Sequence, residues 1–238
     1  MKIVLIGYGK MGKAIEEIAL TRGHKILFTI THQNDPLFSK ENMSQADVAI
    51  EFTNPKSAFD NVKKCFELGL PVVCGTTGWT DRLDEIKNVC NELKVAFLHS
   101  TNFSVGVNLF FEINKKLASL MNTQSDYDIQ ISETHHTQKK DSPSGTAVTL
   151  AEQILENISR KKNWINENTD NPDLLEIISE RIDPAAGTHK IKYSSAIDDI
   201  EIIHTAHSRM GFALGAVLAA EFIHKKIGCF TMKDVVAF

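Results

Sequence analysis

The chain has 238 residues, a formal net charge of −4, 42% hydrophobic and 24% charged residues, which is enough to bury one large core or two modest ones in the ordinary globular range. That charge, with lysines gathered only in short pairs such as Lys63-Lys64, Lys139-Lys140 and Lys161-Lys162, gives no electrostatic reason to expect nucleic acid or an anionic membrane as partner. No apolar run nears the ~20 residues of a membrane helix; the opening Met1-Lys2 and brief apolar run do not read as a signal peptide, and Cys65, Cys74, Cys90 and Cys229, with no C-x-x-C pair, read as buried free thiols of a reducing, cytoplasmic compartment.

Ile3 to Ile6 is an uninterrupted apolar run that reads as a strand. Gly7-Tyr8-Gly9-Lys10-Met11-Gly12 follows directly, and then a helical pattern puts Met11, Ile15, Ile18 and Ala19 on one face. Ile26 to Ile30, after Gly23, closes a βαβ unit of the expected ~30 residues. Position directly after a strand and at the opening of a helix is what gives the G-x-G-x-x-G its meaning. Gly7 permits the tight turn, Gly9 lets backbone approach a pyrophosphate, and Gly12 lets helix and strand pack closely. The unpaired N–H groups of the helix start then face the phosphates. An acid usually ends the second strand to bind the ribose 2′-hydroxyl; here the place is Thr31-His32, with Asp35 further on, and Lys10 and His32 stand ready for a 2′-phosphate. NADPH is the favoured cofactor on this ground, or NADPH or NADH alike.

The alternation continues. Val48 to Ile50 reads as a strand, and Pro55 to Leu68 as a helix capped by Asn54 with proline at its first position. Pro71 to Cys74, Asp81 to Leu93 and Val95 to Leu98 read as strand, helix and strand. Such alternation predicts a Rossmann-type doubly wound parallel sheet, since parallel strands need crossover connections.

After Leu98 the pattern changes. Asn108 to Met121 is an amphipathic helix, and Tyr127 to Ile131 alternates as a strand. The chain then reaches Glu133-Thr134-His135-His136-Thr137-Gln138-Lys139-Lys140-Asp141-Ser142-Pro143-Ser144-Gly145-Thr146-Ala147, opening a helix to about Ile158. Two imidazoles and a lysine at a strand end, beside a Ser-Gly-Thr helix start, suit a small dianion undergoing reduction. The N–H groups of Gly145 and Thr146 can hold one carboxylate, aided by a helix dipole worth ~0.3–1 kcal/mol. Lys139 can meet a carboxylate or donate a proton, and histidine is the commonest proton donor near neutral pH. No cysteine or third histidine stands at ligand spacing from the His-His pair, so no metal is expected. Lys161 to Asp173 reads as a polar surface loop, Lys190 to Ser195 and Ile200 to Thr205 as strands, and Gly211 to Ile227 as a buried helix.

The segment Glu133 to Ala147 closely resembles the E-x-H-H-x-x-K-x-D-x-P-S-G-T-A signature of dihydrodipicolinate reductases, matching every fixed position. Gly7 to Gly12, Gly75-Thr76-Thr77-Gly78, Asn102 to Asn108 and Ser208-Arg209-Met210 resemble further stretches of that family. The resemblance implies an α/β fold with a smaller α+β domain built on an open mixed sheet. Residues 1–104 and 210–238 would form the dinucleotide-binding domain, and 105–209 the substrate-binding and oligomerisation domain. The crossings near Ser104 and Arg209 would be hinges for closure over substrate.

It implies an NAD(P)H-dependent reductase of lysine and diaminopimelate biosynthesis, acting on a small cyclic imine dicarboxylate, 4-hydroxy-tetrahydrodipicolinate, with loss of water and no metal, as a homotetramer. His135 would be the proton donor, Lys139 a second donor and His136 a substrate contact, with Gly145 and Thr146 on one carboxylate. Gly7, Tyr8, Gly9, Lys10, Met11 and Gly12 would cradle the pyrophosphate; Gly75, Thr76, Thr77, Ser100, Thr101, Asn102 and Phe103 would surround the nicotinamide. Two places depart from the family pattern: Thr31-His32, and Asp183-Pro184 in the stretch Arg181 to His189. Two other readings share the first domain: an aspartate dehydrogenase-like enzyme, against which the P-S-G-T turn argues, and a non-catalytic nucleotide-binding regulatory subunit, which would have no need of His135 and Lys139.

Overall fold

The computed structural model describes residues 1–31 and 37–237, so His32 and Asp35 lie outside the described residues. The chain divides into two compact units, Met1–Asn108 with Arg209–Phe238, and Leu109–Ser208.

In the first unit the strands are β1 (Lys2–Ile6), β2 (Lys25–Ile30), β3 (Val48–Glu51), β4 (Val72–Cys74), β5 (Ala96–His99) and β11 (Gly228–Phe230). They form one six-stranded sheet in the order β11-β5-β4-β3-β1-β2, and every pairing is parallel. The central strands are buried on both faces, which is why they read as continuous apolar runs. After the short α2 (Lys40–Met43), one face carries α3 (Pro55–Glu67) and α4 (Leu83–Leu93), whose Phe59, Val62, Phe66, Ile86 and Cys90 share a core with Val4, Ala49 and Phe97. The other carries α1 (Lys10–Thr21) and α7 (Met210–Ile223), where Ile15, Ala19, Ala216 and Ala220 pack on Ile3, Leu5, Ile50 and Leu98. This is the expected doubly wound sheet.

The second unit has a five-stranded mixed sheet in the order β10-β9-β6-β8-β7, formed by β6 (Asp128–His135), β7 (Asn163–Ile165), β8 (Leu174–Arg181), β9 (Thr188–Ser194) and β10 (Asp199–Thr205). The helices α5 (Val105–Met121) and α6 (Gly145–Asn157) supply Phe110, Ala118, Leu150 and Ile154 to a core with Ile129, Ile131, Ile177 and Tyr193. β6 pairs parallel with β8 and antiparallel with β9.

Several boundaries differ from the sequence reading. The helix expected from Asn108 starts at Val105, because Ser104 caps it: its hydroxyl accepts the Val107 N–H at 3.3 Å and its carbonyl the Asn108 N–H at 3.0 Å. α4 starts at Leu83 behind a 3-10 turn over Thr80–Arg82. The helix expected to Ile227 ends at Ile223, and the chain turns at Lys225, φ 63°, to add β11 beside β5. The stretch Lys161 to Asp173 is not all loop. It contains β7, and the Lys161 ammonium is buried against Asp128 at 2.7 Å and the Leu174 carbonyl at 2.8 Å. Cys65, Cys74 and Cys90 are buried free thiols, but Cys229 is exposed on β11.

Helix α7 lies close on the segment after β5. A Cβ on Gly215 would stand 1.7 Å from the Phe103 carbonyl oxygen, whereas one on Gly211 would meet nothing nearer than the Ser104 Oγ at 3.8 Å. Gly215→Ala is therefore expected to cost about 2–3 kcal/mol by overpacking, and Gly211→Ala to be neutral or stabilising by up to ~1 kcal/mol through helix propensity. Urea unfolding midpoints of the two variants check this; equal midpoints would contradict the packing.

Candidate active site

At the carboxyl end of the first sheet, β1 stands between β2 and β3, so the chain leaves it with neighbours running to opposite sides. A crevice opens at such a switch point. Here a pocket of about 490 Å³ is lined by Ile6, Gly7, Tyr8, Gly9, Thr31, Phe52 and the polar residues Thr53, Asn54, Ser57 and Asn61.

The three loop glycines are needed for different reasons. A Cβ on Gly7, which has φ 93°, would lie 2.0 Å from the Phe52 carbonyl oxygen, and one on Gly12 would lie 2.4 Å from the Gly7 carbonyl oxygen. Packing within the protein accounts for both. Around Gly9 a Cβ would meet nothing within 4 Å; the space beside it is open, and it sits at the N-cap of α1 with no side-chain cap on the first turn. An open, uncapped helix start with positive dipole end is what a pyrophosphate requires. The chain thus fits a dinucleotide here. Lys10 is exposed, Met11 half-buried, and the Tyr8 hydroxyl bonds Glu16.

The second set of expected cofactor residues is partly joined to the loop. The Thr53 N–H donates to Thr76 Oγ1 at 2.8 Å, and Gly75 lies under Phe52, where a Cβ would come within 2.1 Å of the ring. The Phe103 ring stands 5.6 Å from that of Phe52. Ser100 turns its hydroxyl onto the Asn102 carbonyl at 2.8 Å, and Thr77 and Thr101 are exposed. Beneath them the buried Glu51 accepts from the Thr53 hydroxyl and, at 2.9 Å, from the Cys74 thiol. Burial and the Glu51 charge push that thiol well above its usual range.

In the second unit, β6 alternates strictly, burying Ile129, Ile131, Glu133 and His135 on one face. The buried row is apolar at first and ionisable at the carboxyl end. Glu133 has 1% of its surface exposed. It lies opposite His189 on β9 and Ser179 on β8, and His135 lies opposite Arg181. Its Oε1 accepts from Ser179 Oγ at 2.9 Å, Arg181 Nη2 at 3.2 Å and the Ser144 N–H at 3.0 Å. Its Oε2 faces His135 Nε2 and His189 Nε2, both at 3.5 Å. Burial pushes this carboxyl up, but the bonds from His135, His189, Ser144 and Ser179 outweigh it and hold it well below the usual carboxylate range. Burial pushes His189 down, against the pull of Glu133.

The signature loop follows. Lys139 Nζ bonds both Asp141 oxygens at 2.9 Å, and Arg181 Nη2 holds the Asp141 carbonyl at 2.6 Å. Burial raises the Asp141 carboxyl, yet the Lys139 bond and charge bring it below its ordinary value. His136 is half-buried, and the next residue is anchored by Asp183, whose carboxylate accepts the Thr137 N–H at 3.2 Å and hydroxyl at 2.5 Å. The departure at Asp183-Pro184 thus supplies the brace of the loop after His136. Ser144 caps α6, accepting the Ala147 N–H at 3.2 Å. Beside Gly145, the first helical residue, a Cβ would meet nothing within 4 Å.

The sequence reading missed Glu133, His189, Ser144, Arg181 and Asp141 as functional neighbours. Strand parity places Glu133 on the face of His135; nothing local points to His189. With it, Glu133 and His135 bring three ligand atoms within 4.8 Å of one another, although the spacing of the sequence offered no third histidine. The carboxylate already accepts four bonds, one from a guanidinium, and a divalent cation would face that positive charge. The cluster reads as a hydrogen-bonded network.

Residues 1–103 match the family model for the dihydrodipicolinate reductase N-terminus and residues 106–236 that for its C-terminus. A 4-hydroxy-tetrahydrodipicolinate reductase of Christiangramia forsetii is 50% identical over 238 residues, spanning 100% of this chain and 98% of that one. One of Thermosipho africanus is 34% identical, over 99% and 98%. Among solved structures, the dipicolinate-bound dihydrodipicolinate reductase of Paenisporosarcina sp. TG-14 superposes with a TM-score of 0.78 at 22% identity, covering 98% of each chain; an amine dehydrogenase of Mycobacterium smegmatis does so with 0.60 at 10%, covering 98% and 95%.

Because the Glu133 carboxyl sits below its unfolded value of about 4.3, its contribution to stability is whole above that pH and is lost as pH falls through and below it. The stability gap between wild type and Glu133→Gln in urea is therefore expected to be larger at pH 7 than at pH 3.5. A gap that stays constant or grows on acidification contradicts the carboxylate's place in the network.

Proposed function

The chain belongs to the dihydrodipicolinate reductase family, and on that footing we propose how its residues divide the family's reaction. The reaction is the pyridine-nucleotide-dependent reduction of 4-hydroxy-tetrahydrodipicolinate to tetrahydrodipicolinate with loss of water, a step of lysine and diaminopimelate biosynthesis. The observation that carries the assignment of residues is the end of β6, where His135 stands on a buried carboxylate that also binds the start of α6.

Gly7, Tyr8, Gly9, Lys10, Met11 and Gly12 hold the pyrophosphate, supported by the open space at Gly9 and the uncapped first turn of α1. Gly75, Thr76, Thr77 and Ser100 to Phe103 border the nicotinamide ring. Bound there, the reduced nicotinamide supplies the hydride. His135 delivers the proton, a role worth typically ~10²–10⁴-fold in rate. The N–H groups of Gly145 and Thr146 take one substrate carboxylate at the start of α6, and His136 contacts the substrate. Lys139 trades Asp141 for a substrate carboxylate or serves as second donor; its pairing is partly exposed and so is released at little cost.

For the cofactor we propose NADPH in preference, with NADH accepted. No carboxylate is among the described residues that line the pocket, and Lys10 stands at the helix start. A homotetramer formed through the second sheet is supported by its edge strand β10, which exposes Ile200 and Ile203. No helix among the described residues is long and apolar enough to cross a membrane; the cytoplasm remains the compartment proposed.

The enzyme is expected to oxidise NADPH or NADH only when the cyclised condensation product of pyruvate and aspartate semialdehyde is present. His135→Ala and Lys139→Ala should each lower kcat by roughly 10²-fold or more with cofactor Kd within about twofold of wild type; loss of cofactor binding instead would reassign both residues. Steady-state kcat/KM for the two cofactors is expected to favour NADPH, and Lys10→Ala to erode that preference by roughly two- to fivefold, as for an exposed ion pair. An NADH preference untouched by Lys10→Ala would overturn the cofactor reading.

A further inference from the structure

His135 is held from two sides. Its Nε2 is turned into the unit, 3.4 Å from His189 Nε2 and 3.5 Å from Glu133 Oε2. The adjoining Cε1–Nδ1 edge of the ring faces Gly187, where a Cβ would lie 2.9 Å from Cε1 and 3.2 Å from Nδ1, so the glycine keeps a side chain off that edge. The two imidazoles meet edge to face, with centroids 5.1 Å apart and planes at 70°. Among the described residues nothing hydrogen-bonds His135 Nδ1, and only its Nε2 enters the network.

The protons of the cluster can be placed by satisfaction. His189 Nδ1 is buried without a partner, so a proton there would be an unmet donor at a cost of ~1–3 kcal/mol. Its proton therefore belongs on Nε2, where Ser144 Oγ at 3.1 Å and Glu133 Oε2 receive it. With Nε2 of His189 carrying a hydrogen 3.4 Å away, that nitrogen cannot accept, so a His135 imidazolium can aim its Nε2–H only at the carboxylate, 3.5 Å away. A buried carboxylate beside an imidazole fixes its tautomer and orientation and stabilises the imidazolium.

We propose that Glu133 and His189 are positioning residues for the proton donor: together they keep the Nε2–H of His135 pointed at the buried carboxylate, so that the proton given to substrate leaves from Nδ1. In the transfer the Nδ1–H bond breaks, its electron pair stays on the ring, and the neutral Nε2–H tautomer remains on Glu133 to be reprotonated from solvent. Other charges face this ring. Arg181, across from it on β8, balances Glu133; Lys139 and Asp141 neutralise each other on the loop; His136 adjoins it in the chain, and His204 on β10 lies beyond His189. Glu133 is the only carboxylate within salt-bridge reach of His135 among the described residues.

The inference rests on the reading of His135 as proton donor, and the two fail differently. Glu133→Gln is expected to lower kcat roughly 10- to 100-fold, with substrate KM and NADPH Kd within about threefold. His189→Gln, which keeps a donor near the same place, should lower it by roughly three- to tenfold. In a His135→Ala background Glu133→Gln should cost nothing more, because its effect runs through the missing ring. In protein labelled with ¹⁵N-histidine the neutral His135 ring should appear as the Nε2–H tautomer. Should Glu133→Gln unfold the protein, His189→Gln and the tautomer measurement carry the test. If His135→Ala is slow while Glu133→Gln and His189→Gln stay within twofold of wild type, the positioning role is wrong and the donor stands. An equal loss from Glu133→Gln with and without the His135 ring, or an Nδ1–H tautomer, also overturns it. A His135→Ala variant with wild-type kcat removes both.

Discussion

A carboxylate shut away from water must be met by donors on every side, and in the second unit Glu133 imposes that demand. Three other pieces of backbone answer it: the start of α6 through the Ser144 N–H, β8 through Ser179 and Arg181, and β9 through His189. Each is thereby tied to β6 at one place. His135, two residues further along the same strand face, turns its Nε2 onto the same carboxylate at 3.5 Å. The loop that carries Lys139 is drawn into the same frame, since Arg181 also holds the Asp141 carbonyl.

The ion pairs of this unit are graded by exposure. Glu133 and Arg181 meet where the carboxylate has no exposed side chain, whereas the Lys139–Asp141 pair is 22% and 57% exposed. A buried pair resists breaking because the remaining charge would be stranded in low dielectric; a partly exposed one exchanges partners at small cost. Of Arg181 and Lys139, then, Lys139 is the one whose partner exchanges at small cost, as its proposed role toward a dianion requires. Arg181 is committed to the framework.

The glycines of the first unit divide by a similar argument. Gly7, Gly12, Gly75 and Gly215 stand where a side chain would strike the protein itself, at Phe52, Gly7, the Phe52 ring and Phe103 respectively. They let backbone and helices come close. Gly9 meets nothing, and neither does Gly145 at the start of α6 in the other unit. Both open positions are at helix N-termini, where the dipole favours anions; the proposed ligands are the phosphates of a dinucleotide in one case and a substrate carboxylate in the other.

Much of this was legible in the chain itself. Apolar runs of three to five residues alternating with helical stretches define a parallel sheet, because strands joined by crossovers are buried on both faces and show no polar alternation. The glycine loop declared its place between strand and helix; the period-two pattern of Tyr127 to Ile131 was read, but its continuation through Glu133 and His135 was not. Three-dimensional pairing decided the rest. Ser104 drew α5 back to Val105, β11 completed the sheet where a longer helix was read, and Asp183 became the brace of the His136 loop. Above all, His189 arrives 54 residues after His135. Alternation in β9 determines which side chains point inward; it does not determine the offset at which β9 lies against β6. That offset comes from backbone hydrogen bonding between strands distant in sequence, and it alone sets His189 opposite Glu133.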